Sequence, residues 1–215
     1  MNPLPLLDFR LRSPKSAVAK PPVLFLLHGY GSHEEDLFSF APHLPDDFLI
    51  ISLRAPLNLA FGGYAWYSIH FDADQDKWTD LEEAKAAQQI LWHNIEHHLE
   101  QFGLKDQPIN LLGFSQGAIL SWALALSQPQ KVDRVIALSG YVNEDIFTYS
   151  SQTLDHLQCF CSHGTQDQTI PVGWAKKSLE RVKEKQVNIA YFEYAAGHGV
   201  APENFQDLLE WLNRS

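Results

Sequence analysis

Short, unbroken apolar runs alternate along this chain with stretches of helical period. Residues Val23–Leu27, 48–53, 109–112, 132–138 and 157–161 are each too short for a buried helix and are bounded by Gly, Pro or polar residues. Strands covered on both faces have this pattern. Residues 6–12 alternate apolar and polar side chains instead, as an edge strand with one wet face does, and 13–22 reads as a Pro/Lys/Ser connector. Helices are expected at 36–44, 118–127, 172–186 and 202–212, and a last strand at 187–194. The longest helix opens on a capping box, Thr79-x-x-Glu82, and carries apolar residues at 81, 84, 87, 91, 95, 99 and 102 before Gly103 ends it. The alternation predicts an α/β fold with a mostly parallel central sheet and helices on both faces. No linker, repeat or low-complexity tract divides 1–215, so a single domain is expected.

Between 57 and 78 the periodicity vanishes. The stretch is rich in aromatics and glycine, with Phe61, Gly62, Gly63, Tyr64, Trp66, Tyr67, Phe71 and Trp78. A long irregular loop in a compact domain is usually functional. Trp66 and its neighbours either line a substrate pocket or pack the loop against the body; Trp66 is the leading candidate for a substrate contact.

The charge balance narrows the partners. Lys+Arg number 16 and Asp+Glu 26, a net charge of −10, which disfavours nucleic acid and anionic membrane surfaces. No apolar run approaches the roughly 18 residues of a membrane span, so no stable membrane insertion is expected. The first residues show no basic segment leading into an apolar one, so no secretory signal is read there. Cys159 and Cys161 stand two apart in an expected strand, pointing to one face, which suits reduced buried thiols better than a disulfide. A cytoplasmic setting follows as the expectation.

The candidate chemistry centres on Gly113-Phe114-Ser115-Gln116-Gly117, placed between an apolar strand and a helix-forming segment. A strand–turn–helix of this kind forces its serine into a strained conformation that exposes Oγ above the sheet edge. The Gln116 amide opens the helix and faces whatever Ser115 attacks. Serine needs a base, and the base an acid. In a parallel sheet those groups belong on loops after strand ends, which points to Asp167 as acid, ahead of Asp155, which precedes its strand, and to His198, in Gly197-His198-Gly199, as base. His163 precedes Asp167 too closely to close a triad with it. His93, His97 and His98 fall on the long helix and are expected to be solvated. His93 and His97 have the i, i+4 spacing of metal ligands without an evident third, so no metal site is expected. His28-Gly29-Tyr30-Gly31 follows the first buried strand, where the Tyr30 amide would be a second oxyanion donor beside Gln116.

Taken together, Leu27-His28-Gly29-Tyr30-Gly31, Gly113-Phe114-Ser115-Gln116-Gly117, His163-Gly164-Thr165-Gln166-Asp167 and Gly197-His198-Gly199 resemble the phospholipase/carboxylesterase family of α/β-hydrolases. The resemblance covers nearly the whole chain. It implies an α/β-hydrolase fold with little or no lid, Ser115, Asp167 and His198 as triad, and Tyr30 and Gln116 as oxyanion donors. It also implies no cofactor, metal or organic. Substrate contacts are expected at Trp66, Gly31, Phe61 and Val200. Family members act on short- and medium-chain esters, lysophospholipids or S-acyl cysteine thioesters. Residues 61–66 resemble the bacterial esterase branch more than the eukaryotic thioesterase branch. The expectation is a carboxylesterase acting on a small-molecule ester, with room for a homodimer. The alternatives are a lysophospholipase or acyl-protein thioesterase using the same residues, or a catalytically silent binding protein on the same fold.

Overall fold

The computed structural model describes residues 3–71 and 77–214; side chains of 70, 71, 77 and 78, including Phe71 and Trp78, lie outside the description. Its seven-stranded sheet is built from β1 (Phe9–Arg12), β2 (Val23–Leu27), β3 (Leu49–Leu53), and, after two short hairpins, β8 (Ile109–Phe114), β9 (Val132–Leu138), β10 (Gln158–Gly164) and β11 (Asn188–Tyr194). The spatial order is β1-β3-β2-β8-β9-β10-β11. Every pairing is parallel except β1 against β3, which runs antiparallel at the edge. The hairpins are β4 (Leu57–Asn58) with β5 (Tyr64–Ala65), and β6 (Ile69–Phe71) with β7 (Lys77–Thr79). They occupy the stretch whose periodicity is lost in the sequence.

The alternation of side chains along the strands sorts the core into two layers. Phe25, Leu111, Val135 and Cys159 face one side, with α2 (Leu81–Gln101), α3 (Gln116–Ser127) and α4 (Val172–Lys183). Leu24, Leu26, Leu112, Ile136 and Phe160 face the other, with α1 (Glu35–Phe38) and α5 (Pro202–Arg214). Both cysteines are free and buried on the α2–α4 side, and burial pushes both thiols up. The fold class is thus an α/β sheet with helices on both faces, as the sequence predicts. Among the described residues no helix is long and apolar enough to cross a membrane.

Four local readings are corrected. The helix at 36–44 is a single turn, α1. The chain beyond it contains Pro42 and Pro45 and is held by the Arg12 guanidinium, which donates to the carbonyls of Ala41, Leu44, Pro45 and Phe48. Thr79 ends β7, and α2 is capped instead by Asp80, whose side chain accepts from the Glu83 amide at 3.0 Å. The ends of the apolar stripe on α2, Leu81 and Phe102, are exposed, while His98 is buried against Phe9 at 4.5 Å between ring centroids. Burial and the neighbouring His97 lower the His98 pKa. Finally, β10 runs three residues beyond 161, to Gly164, which makes His163 an inward-facing strand residue rather than part of a loop.

Candidate active site

Ser115 sits between β8 and α3 with φ 53° and ψ −116°, a conformation L-residues rarely hold. Two glycines make the turn feasible. A Cβ on Gly113 would lie 2.3 Å from the Gly117 carbonyl oxygen, and one on Gly117 would lie 1.9 Å from that of Leu27. The helix behind the serine, Ala-Ile-Leu-Ser-Trp-Ala-Leu-Ala-Leu from 118 on, is apolar nearly all round and buried throughout, so the turn rests on a rigid element.

The loops after β10 and β11 bring Asp167 and His198 to the serine. His198 Nε2 lies 2.9 Å from Ser115 Oγ, and His198 Nδ1 lies 2.7 Å from Asp167 Oδ2. Because Oδ2 only accepts, Nδ1 carries the proton and Nε2 is left to accept from the serine hydroxyl. Asp167 Oδ1 accepts from the amides of Thr169 at 2.8 Å and Ile170 at 2.9 Å. Burial pushes this carboxyl's pKa up, but the His198 hydrogen bond and those two amides outweigh it, and the net shift is downward. Asp167 Oδ2 thus holds the His198 ring with Nε2 turned to Ser115. The Phe114 ring lies 5.0 Å from the His198 ring, centroid to centroid.

Gln116 is the first residue of α3, whose first amides have no acceptor within the helix. The Tyr30 amide sits in the turn after β2 and donates to no backbone acceptor among the described residues. His28 braces that turn from below. Its Nδ1 donates to the Gly29 carbonyl at 2.8 Å, and its Nε2 accepts from the Ala55 amide at 3.0 Å. Burial pushes the His28 pKa down to about 4, so the ring is neutral at pH 7. Behind it, Glu34 is clamped by both Arg54 Nε and Nη2 at 2.6 Å, which holds its carboxyl at about 2.

A narrow cavity of about 40 Å³ adjoins Ser115, lined by Tyr67, Ile69, Ile119, Tyr141, Ile170 and Trp174 among others. None of the four residues expected to contact substrate is in that lining. Trp66 is buried, and its indole N–H donates to the His28 carbonyl at 2.8 Å, so it supports the Tyr30 turn from within. Phe61 is 75% exposed with its ring 6.2 Å from that of Tyr30. Gly31 has φ 78° and donates to the Tyr64 carbonyl at 2.9 Å, and Val200 packs on the α1–α5 side. The wall-forming segment is secured by the Gln116 side chain, which accepts from the Trp66 amide and donates to the Tyr67 carbonyl, each at 2.8 Å. The sequence signal for these lining residues was weak, because Ile119, Tyr141 and Trp174 come from three separate helices and loops. The cavity also abuts an open hollow of about 220 Å³ that shares Tyr141 and Trp174 and carries Lys177 and Arg181. Larger hollows of about 270 and 360 Å³ lie against other residues, away from Ser115.

This sheet order with a strained serine after its central strand defines an α/β-hydrolase. The profile of the Phospholipase/Carboxylesterase family matches residues 10–215, and the chain belongs to that family. Its relatives carry both kinds of ester chemistry in their names. Acyl-protein thioesterase 1 of Kluyveromyces lactis is 27% identical over 171 residues, covering 76% of this chain and 74% of that one. Acyl-protein thioesterase 1 of Emericella nidulans is 28% identical over 197 residues, covering 86% and 79%. Among solved structures, the Bacillus cereus carboxylesterase superposes with a TM-score of 0.84 at 18% identity, covering 97% of this chain and 94% of that one. The protein is a hydrolase-family member with esterase and thioesterase homologues.

Proposed function

We propose that the protein is a serine hydrolase that cleaves carboxylic esters of short to medium acyl chain through an acyl-enzyme. The observation that carries the reading is the hydrogen-bonded series Asp167–His198–Ser115, ending on a serine held at φ 53°. Ser115 Oγ attacks the ester carbonyl carbon as its proton passes to His198 Nε2, and the tetrahedral oxyanion takes the amides of Tyr30 and Gln116. The carbonyl re-forms, the C–O bond to the alcohol breaks, and His198 gives its proton to the departing oxygen. Water, deprotonated by His198, then attacks the acyl carbonyl; the bond to Ser115 Oγ breaks, His198 returns the proton to Oγ, and the acid leaves. The narrow cavity of about 40 Å³ beside Ser115 favours a small acyl group.

Thioester hydrolysis is the second reading, favoured by the names of the curated relatives above. It uses the same residues, with a thiolate leaving in place of the alkoxide. Hydrolysis of p-nitrophenyl esters from acetyl to palmitoyl, beside the matching acyl thioesters and with Ser115→Ala in parallel, separates the outcomes. Short esters cleaved by the wild type, with at least a ~10³-fold loss in Ser115→Ala, support the proposal. A preference for long thioesters moves the assignment to the second reading. Equal weak activity in both proteins, with no fluorophosphonate labelling at Ser115, overturns both.

A further inference from the structure

His163 is a buried imidazole beside Asp167 that the reaction scheme leaves unused. It is the last inward side chain of β10, fully buried, and its Nε2 lies 2.8 Å from the Ile170 carbonyl oxygen and 3.3 Å from Asp167 Oδ2. Both neighbours are acceptors, so Nε2 carries the proton and donates. Its Nδ1, also buried, has no hydrogen-bond partner. A buried polar atom without a partner costs free energy, and natural structures keep few of them. A phenylalanine or leucine would fill the space without that cost, which makes the Nε2–H the useful part of the residue.

The place where it donates gives that use. Residues 165–170 form the turn that carries Asp167, and the turn closes on itself through the Thr169 and Ile170 amides, which donate to Asp167 Oδ1. His163 Nε2–H holds the Ile170 end of that turn through its carbonyl and leans on Oδ2, the oxygen that also accepts from His198. Asp167 is thus fixed at both oxygens, and its remaining freedom, rotation that would carry Oδ2 away from His198, is opposed by His163. On the neighbouring strand Glu193, the register partner of His163, is paired with Lys176 of α4 at 2.7 Å.

Resting on the hydrolase reading above, we propose that His163 is a positioning residue: its Nε2–H fixes the Asp167 turn so that Oδ2 is presented to His198. It touches neither substrate nor the reacting atoms. The test compares His163→Leu, which removes the donor, with His163→Gln, whose side-chain amide can restore it, on the full-length protein.

His163→Leu is expected to lower kcat by ~10²-fold with KM within about twofold of wild type, the scale of a misplaced catalytic group. The acidic limb of its kcat/KM profile moves to lower pH, because a loosened Asp167 stabilises the His198 imidazolium less. His163→Gln recovers most of kcat and the wild-type limb. Should His163→Leu be insoluble, His163→Asn replaces it, since its shorter amide does not reach the Ile170 carbonyl. Unchanged kcat in His163→Leu overturns the proposal. So does an equal loss in both variants that follows their thermal stability and leaves the pH limb in place. A wild type that neither hydrolyses esters nor takes up a fluorophosphonate at Ser115 fails the hydrolase reading itself. A labelled, active wild type with indifferent His163 variants fails this proposal alone.

Discussion

Single residues decide whether the nucleophile can be where it is. Gly117 is the sharpest case, because its missing side chain lets α3 press against the end of β2, the strand that leads into the Tyr30 turn. A methyl there would sit 1.9 Å from the Leu27 carbonyl oxygen and 2.8 Å from that of His28. Backbone cannot step aside as a flexible side chain can, so Gly117→Ala must push the helix and the turn apart. We expect a loss of about 3 kcal/mol, the upper end of overpacking costs, in urea unfolding, and a disproportionate loss of ester hydrolysis in whatever protein remains folded. Gly173→Ala is the control. It lies in the first turn of α4 with nothing within 4 Å of the added Cβ, and it is expected to be neutral or slightly stabilising by up to about 1 kcal/mol. The Gly-x-Ser-x-Gly spacing was legible in the sequence because its glycines meet this local steric demand. Trp66 was not legible in the same way: an aromatic in an irregular loop reads alike whether it faces substrate or donates to the carbonyl of His28 from inside.

Elements were legible in proportion to how far a single period governs them. The buried strands and α2, α3 and α5 stand where the apolar runs and stripes put them, because burial on both faces or one face leaves a repeating mark. The misreadings share a cause, which is contact from distant sequence. Arg12 on the edge strand holds carbonyls of 41–48 that a helix would have used, and pairing with β11 extends β10 through His163 to Gly164. In the sequence the strand is expected to end at 161, so the burial of His163 is not expected there. The capping of α2 shifted by one residue for a local reason, since Thr79 is taken by β7 and Asp80 has the extended backbone of a cap, φ −70° and ψ 105°. Asp80→Ala should therefore lower stability by about 1 kcal/mol, read as a shift in the urea midpoint with an unchanged m-value. Thr79→Ala should have less effect. The reverse order would restore Thr79 as the capping residue. Because the Glu83 carboxylate of the same turn also accepts from the Ser68 amide at 2.7 Å, fraying at this end is expected to reach the segment that walls the cavity.

At the scale of the whole molecule, groups that must stay uncharged or charged set the pH range in which the site exists at all. His28 lies beneath the Tyr30 turn with its Nε2 occupied as an acceptor for the Ala55 amide, and protonation would turn that acceptor into a donor facing a donor. Burial brings its pKa down from 6.5 to about 4, against weaker opposing pulls from the Gly29 carbonyl, Asp36 and Glu34. The sign follows from which state binds the proton more readily. Between pH 6.5 and 4 the unfolded chain takes up a proton at His28 that the folded protein refuses, so the contribution is complete above pH 6.5 and is lost as pH falls toward 4. A shift of this size corresponds to about 3 kcal/mol, and the buried His98, shifted the same way, adds to it. Glu34 acts lower down: its carboxyl, paired with Arg54 and held at about 2, contributes fully above 4.5 and is lost as pH falls through 2. Urea midpoints should thus decline first between pH 6.5 and 4, while the acidic pairs are still intact, and again below 4.5. In His28→Gln the midpoint at pH 7 should be lower, but its decline from pH 6.5 to 4 should be shallower by most of that 3 kcal/mol. If the slope in this window is the same in the variant, His28 is not the group that titrates, and the neutral brace beneath the oxyanion turn is the wrong account of it. A shallower slope ties the acid limit of the fold to the same imidazole that holds one of the two proposed oxyanion donors in place.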